Sequence, residues 1–284
     1  MLRPIWHRSL IANMRVPEAV FKGMVMAGFM DRVALVTGAG SAEGIGFATA
    51  KALAAAGARV VLTSTTKRIF ERLETLGEGH AAFTADLTIV EDVNELINAV
   101  KAKFGRIDIV VNNAGMVQQG TNFKSSRIEK ITDVEWQRHL ALNVTTAFNV
   151  TRAVLPLMQE QKYGRIVNVA SVTGPLVTNP KAAGYSSAKA AMTGLTRVTA
   201  VENASRNITC NAVLPGWIET ASSSKEEILA GKATPSKRPG TPAEVAAACL
   251  FLASEEASYV NGAMLVVDGA NSIVEFKGAG DDWY

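Results

Sequence analysis

Chemically reactive side chains are scarce in this sequence. Among 284 residues there are two cysteines and three histidines. Cys210 and Cys249 lie in apolar contexts (Ile208-Thr209-Cys210 and Ala246 to Leu252) without metal-ligand spacing, so they read as buried free thiols in a reducing compartment. His7, His80 and His139 are scattered. No Gly-x-Ser-x-Gly elbow and no His-Glu-x-x-His helix occurs, which leaves hydrolase and zinc chemistry without a foothold and predicts no metal site. Long apolar runs are also missing; nothing approaches the ~20 residues that cross a bilayer, so no membrane partner is expected. Nor is there a sustained excess of one charge. The net charge of +3 is carried by the first thirty residues, and the remainder is balanced, which gives no electrostatic footprint for nucleic acid.

Those first thirty residues are the least domain-like part of the chain. They hold Arg3, Arg8, Arg15 and Lys22 against Glu18, with further methionines at Met14, Met24, Met26 and Met30. We read residues 1–30 as an N-terminal extension, a flexible leader or a mis-assigned start, with organelle import as the alternative. Residues 31–284 read as one folded domain, since no linker rich in Pro, Gly or Ser divides them. A cytoplasmic location is expected.

From Arg32 onward short apolar runs alternate with helical patterns. Val33 to Thr37 is a strand, followed by Gly38-Ala39-Gly40, Gly44-Ile45-Gly46 and an alanine-rich helix ending at Gly57. Further strands are expected at Arg59 to Thr63, Ala81 to Thr84, Ile107 to Val111, Arg165 to Ala170, Ile208 to Val213 and Ala263 to Val267. Helices are expected at Val90 to Phe104, Asp133 to Gln161, Tyr185 to Ser205 and Pro242 to Ala253. Seven apolar strands alternating with helices predict an α/β fold: a single-domain, Rossmann-type, doubly wound parallel seven-stranded sheet with helices on both faces. In such sheets ligands bind at the carboxyl ends of the strands. The glycine cluster, Asp86, Asn112 to Gly115, Ser171 and Pro215-Gly216 all follow strands.

Tyr185 and Lys189 are four residues apart, which places them on one helix face with Cβ atoms about 5–6 Å apart. An ammonium there favours the phenolate and predicts a tyrosine pKa drawn down from about 10 towards neutrality. Ser171 follows the apolar run Ile166 to Ala170 and offers a hydroxyl to grip a substrate oxygen.

With these residues in place the chain resembles the short-chain dehydrogenase/reductase family from Arg32 to Ile273. The family's glycine motif appears as Thr37-Gly38…Gly44-Ile45-Gly46, its sheet-stabilising motif as Asn112-Asn113-Ala114-Gly115, and its active site as Ser171, Tyr185 and Lys189. Its helix asparagine matches Asn143, and Pro215-Gly216 with Ile218 and Thr220 matches the segment over the nicotinamide. The resemblance implies that Tyr185 gives a proton to a carbonyl oxygen, or takes one from an alcohol, while the nicotinamide exchanges a hydride with the carbon. It also implies that Ser171 holds that oxygen, Lys189 binds the nicotinamide ribose, and Asn143 anchors a water linking Lys189 to solvent. Gly38, Gly40, Gly44, Ile45, Gly46, Asn113, Ala114 and Gly115 would contact the cofactor. Asn112 would lie near the adenosine ribose, with Asp86 and Leu87 flanking the adenine. Two departures stand out. Five residues separate Gly38 from Gly44 where the family has three, a number restored only by counting from Gly40, and the Ser171–Tyr185 interval, with Pro175 and Pro180 in it, is about one residue longer than is common.

At the end of the second strand Ser64 stands where an acid would bind a ribose 2′-hydroxyl, followed by Thr65, Thr66, Lys67 and Arg68. Hydroxyls and two cations favour a 2′-phosphate, hence NADP(H) over NAD(H). Within the family the chain is most similar to 3-oxoacyl-(acyl-carrier-protein) reductases and broad-range carbonyl reductases. That implies a small-molecule or carrier-bound carbonyl substrate and a homotetramer, with Phe276, Trp283 and Tyr284 meeting a neighbour. The alternative is a non-catalytic NADP-binding sensor on the same fold.

Overall fold

Val33–Thr37 (β1) is buried along its whole length, and its alternate side chains enter two different cores. Ala34 and Val36 meet one helical layer while Val33 and Leu35 meet the other, the arrangement a strand covered on both faces demands. The computed structural model describes residues 28–115 and 126–274. The readings made for residues 1–27 and for Phe276, Trp283 and Tyr284 lie outside the described residues.

The other strands are Arg59–Ser64 (β2), Ala81–Thr84 (β3), Ile109–Asn112 (β4), Gly164–Val169 (β5), Ile208–Pro215 (β6) and Met264–Val267 (β7). All pair in parallel, in the order β3-β2-β1-β4-β5-β6-β7. The order reverses direction between β1 and β4, which opens a crevice beyond their carboxyl ends. This is the doubly wound Rossmann-type sheet expected from the strand pattern.

The helices are Ile45–Ala55 (α1), Arg68–Leu76 (α2), Val90–Phe104 (α3), Asp133–Leu140 (α4), Thr146–Gln161 (α5), Ala183–Asn203 (α6), Lys225–Lys232 (α7) and Pro242–Ala253 (α8). Helices α1 and α8 pack together on one face through Phe47, Leu53, Val245 and Leu250. Helices α3 and α5 cover the other through Val93, Leu96, Val150 and Val154. The long helix expected from Asp133 to Gln161 is interrupted. Ala141–Thr145 winds as a π turn between α4 and α5, centred on Asn143. Such wide turns occur mostly where a helix serves a site. Helix α7 is not among the helices expected from the sequence. Its start is a capping box, in which Ser224 and Glu227 satisfy each other's backbone N–H groups.

Candidate active site

The turn after β1 is shaped by close approach. Gly38 has φ +66°, and a Cβ on it would lie 2.8 Å from the Ala114 Cα. A Cβ on Gly46 would lie 2.5 Å from the Asn113 Nδ2. Asn113 donates from that nitrogen to the carbonyls of Thr37 and Gly38, tying the end of β4 to the β1 turn. The Thr37 hydroxyl accepts from the backbone of both Asn113 and Ala114. The longer turn is absorbed by residues 41–43: Gly40 lies against Ser64, the Gly44 N–H donates to the Ser41 carbonyl, and Glu43 points into solvent. Helix α1 then starts at Gly44 with no side-chain cap and no acid in its first turn. Its leading N–H groups are left for an anion, the arrangement that suits a pyrophosphate.

Beyond β2 and β3 the predicted residues divide. Ser64 is half-buried and its hydroxyl donates to the Thr66 carbonyl, while Thr65, Thr66, Lys67 and Arg68 are exposed. They form a hydroxyl-rich cationic loop suited to a 2′-phosphate. Asp86 is used locally, accepting from both the backbone and the hydroxyl of Thr88. The Leu87 side chain belongs to the core and its carbonyl accepts from Asn149. Asn112 donates to Thr151 and Asn168 and so ties β4 to β5, the structural part of the role expected for it.

The candidate catalytic residues assemble from β5, α6 and the π turn. Ser171 follows β5, accepts from the Thr173 N–H at 3.0 Å and lines the same cavity as Tyr185, whose pKa its hydroxyl lowers. Lys189, one turn beyond Tyr185 on α6, is buried. Its Nζ donates to the Val169 carbonyl at 2.9 Å and lies 5.7 Å from the Tyr185 ring centroid. Asn143 is fully buried, donates to the His139 carbonyl and, among the described residues, leaves its Oδ1 without a partner. Gly115 lies against that oxygen. An orphaned acceptor here fits a role in holding a water, because a buried carbonyl left unbonded costs about 1–3 kcal/mol.

The electrostatics correct one expectation. Tyr185 is not drawn towards neutrality. Burial raises its pKa, the Ser171 hydroxyl opposes this, and the carboxylate of Glu227 adds to the rise. Burial instead falls hard on Lys189, lowering its pKa to about 8. The ammonium and the phenol share one desolvated site, and burial is the largest cause of both shifts.

A cavity of about 730 Å³ joins these parts. Ile45, Asn113, Ser171, Tyr185, Lys189, Pro215, Gly216, Ile218 and Thr220 line it, whereas Asn143 stands behind the wall. Gly38, Gly40, Ser64, Lys67 and Asp86 lie outside its lining, towards the carboxyl ends of β1 to β3. Residues 38–270 match a family described as enoyl-(acyl carrier protein) reductase. The 3-oxoacyl-(acyl-carrier-protein) reductase of Thermotoga maritima is 37% identical over 246 residues, covering 84% of this chain and 96% of that protein. Oxidoreductase UcpA of Escherichia coli is 37% identical over 271 residues, covering 90% of this chain and 100% of that protein. The crystal structure of levodione reductase superimposes with a TM-score of 0.80 at 35% identity, covering 87% of this chain and 100% of that one. The chain belongs to the short-chain dehydrogenase/reductase family.

As an oxidoreductase of this family it shows further lining residues that sequence reasoning passed over. His139, Trp217 and Lys181 face the cavity, as does Glu227 of α7. His139 is one turn before Asn143, and that spacing was available as a signal; burial lowers its pKa, so it is held neutral. The loop before α6 folds back on itself. Gly174 and Val177 hydrogen-bond across a tight turn, and Thr178 pairs with Ser186 at 2.7 Å. Pro180 is thereby drawn into the cavity wall while Pro175 lies outside its lining, and Lys181 adopts the left-handed region at φ +68°. Among the described residues no helix is long and apolar enough to cross a membrane.

Proposed function

We propose that this protein reduces a ketone with NADPH, or oxidises the matching secondary alcohol, and that Tyr185 transfers the proton. The observation that carries the reading is the convergence of Ser171 and Tyr185 in one cavity at the carboxyl edge of the sheet, with Lys189 one turn behind Tyr185. Two hydroxyls converging on one point suit a single carbonyl oxygen: Ser171 orients it and Tyr185 protonates it. A phenol whose pKa is raised keeps its proton throughout the neutral range, the state that reduction needs. The nicotinamide supplies the hydride. Lys189, Asn113, Pro215, Gly216, Ile218 and Thr220 would hold its ribose and ring. The glycine turn and α1 would hold the pyrophosphate, and Ser64, Thr65 and Lys67 the 2′-phosphate. Asn143 holds a water for proton supply to Lys189. The names of the relatives span a carrier-bound 3-oxo group and levodione, and a 3-oxoacyl thioester or a small ketone is the substrate class we favour. A cytoplasmic homotetramer is part of the same reading.

The test is ketone-dependent oxidation of NADPH and of NADH by wild type and by Tyr185→Phe. Wild type should turn over with NADPH preferred, and the variant should lose about 10²–10⁴-fold in kcat, the range for removing a general acid. Preference for NADH would overturn the cofactor assignment. Equal rates in the two proteins, or none in either across a broad panel, would favour a non-catalytic NADP-binding sensor.

A further inference from the structure

Glu227 lines the same cavity as Ser171 and Tyr185, and among the described lining residues it is the one carboxylate. Its position is fixed from within α7. The Ser224 N–H donates to the Glu227 Oε2 at 2.8 Å, and the Glu227 N–H donates back to the Ser224 hydroxyl at 3.2 Å. A glutamate in a capping box loses much of its rotamer freedom, so its charge has a definite place. Among the described residues no cation pairs with it, unlike Glu244, which closes the capping box of α8 and also meets Arg238 at 2.6 Å. An unpaired carboxylate projects its field into the cavity, and the field reaches Tyr185.

Three other titratable side chains line the cavity with Tyr185. His139 is held neutral by burial. Lys189 has its ammonium turned to the Val169 carbonyl beneath Tyr185. Lys181, exposed on the loop before α6, is the opposing charge at the rim. The hydroxyls of Thr220, Ser222 and Ser223 are engaged with one another or with the Ile218 carbonyl.

Resting on the carbonyl chemistry proposed above, we infer that Glu227 selects substrate by charge, admitting ketones that are neutral around the reacting carbonyl and rejecting those with a carboxylate beside it. An acyl ester or thioester satisfies this rule, and a free oxo acid violates it. The selection acts on the substrate directly and takes no part in proton or hydride transfer.

The discriminating measurement is kcat/KM for a 3-oxo acid and for its methyl ester, in wild type, Glu227→Gln and Lys181→Gln. Glutamine keeps both capping-box hydrogen bonds and removes only the charge. Wild type should prefer the ester, and Glu227→Gln should shrink that preference by about five- to tenfold, the scale of one partly screened charge–charge interaction. Lys181→Gln should move the preference the other way. A preference unchanged in Glu227→Gln, or a wild type that favours the free acid, would overturn the inference while leaving carbonyl reduction intact. Turnover of neither compound, nor of any other ketone, would overturn the carbonyl reading and the inference with it.

Discussion

The two edges of one sheet are built on opposite terms. At the amino edge, where β1, β4 and β5 begin, charges are buried and closed on each other. The Asp108 carboxylate is inaccessible, accepts from the Val33 N–H at 2.9 Å, and binds both Arg106 and Arg32. Arg165 is also inaccessible and reaches Glu255, Asn207 and the Ser254 carbonyl. Tyr163 lies between Arg32 and Arg165, with guanidinium carbons 3.7 and 4.5 Å from its ring centroid. At the carboxyl edge, Lys189 is buried with one carbonyl to donate to, and among the described residues the Asn143 Oδ1 has no partner. The division is not absolute, since the Thr209 hydroxyl near the start of β6 is also unsatisfied. The contrast still locates function. Groups left short of partners in a folded protein are those a ligand or water completes, and the stability they forgo is supplied by the satisfied edge.

The sharpest way to break this comparison is at Asp108. Replacing it with alanine removes two arginine partners and orphans the Val33 N–H. Unpairing a buried ion-pair network costs about 3–5 kcal/mol, and we expect the lower part of that range because Arg32 and Arg106 retain some solvent. Urea unfolding should show it as a lowered midpoint with unchanged slope. Activity per folded molecule should stay near wild type, because the cavity is at the other edge. A loss below about 1 kcal/mol would mean that the amino edge is not what holds the sheet.

At the carboxyl edge the same operation should have the opposite sign. Lys189 has a folded pKa of about 8 against an ordinary value of 10.5. Between those values the unfolded chain holds a proton that the folded chain has shed, so stability rises with pH across that window. Below pH 8 the penalty is present in full. Lys189→Met should therefore stabilise the protein by about 1–2 kcal/mol at neutral pH, the desolvation relief being reduced by loss of the bond to Val169. It should also flatten the dependence between pH 8 and 10.5 and abolish activity. A variant less stable than wild type at neutral pH would show that Lys189 is not strained by burial.

Much of this was legible in the sequence, for identifiable reasons. β1, buried on both faces, carries a continuous apolar run, and α3 and α8 carry helical patterns, so these elements lie where the sequence placed them, as does the edge strand β3. Spacing was enough to bring Tyr185, Lys189 and Ser171 together, because a helix repeat and a strand end are local properties. What spacing does not carry is the balance of long-range terms. The sign of the Tyr185 shift depends on how deeply the pair is buried, and the inward turn of Asn112 depends on Thr151 and Asn168, distant in sequence. The π turn at Asn143 is likewise a product of packing between α4, α5 and α6. The Ser224–Glu227 capping box was readable as a serine followed three residues later by glutamate, and it marked α7 inside what otherwise reads as a polar loop.

The smallest effect, and a probe common to both edges, comes from the cysteines. Cys210 on β6 and Cys249 on α8 are buried, and burial raises each thiol to a pKa of about 12. At pH 8 about one thiol in ten thousand would be thiolate in the folded protein, against roughly a quarter for an ordinary thiol of pKa about 8.5. Native wild type should therefore show no measurable labelling by an aromatic disulfide over minutes, and both thiols should react once it is unfolded. Slow labelling then reports the population of open molecules rather than local chemistry. Under that regime Asp108→Ala should label faster than wild type by the factor its stability loss implies, and Lys189→Met should label more slowly. Opposite changes in one rate, from substitutions at opposite edges, would tie the two halves of the comparison to a single unfolding equilibrium. Rapid native labelling of either thiol would show that its core opens locally, and the contrast between the edges would then have to be measured separately for each.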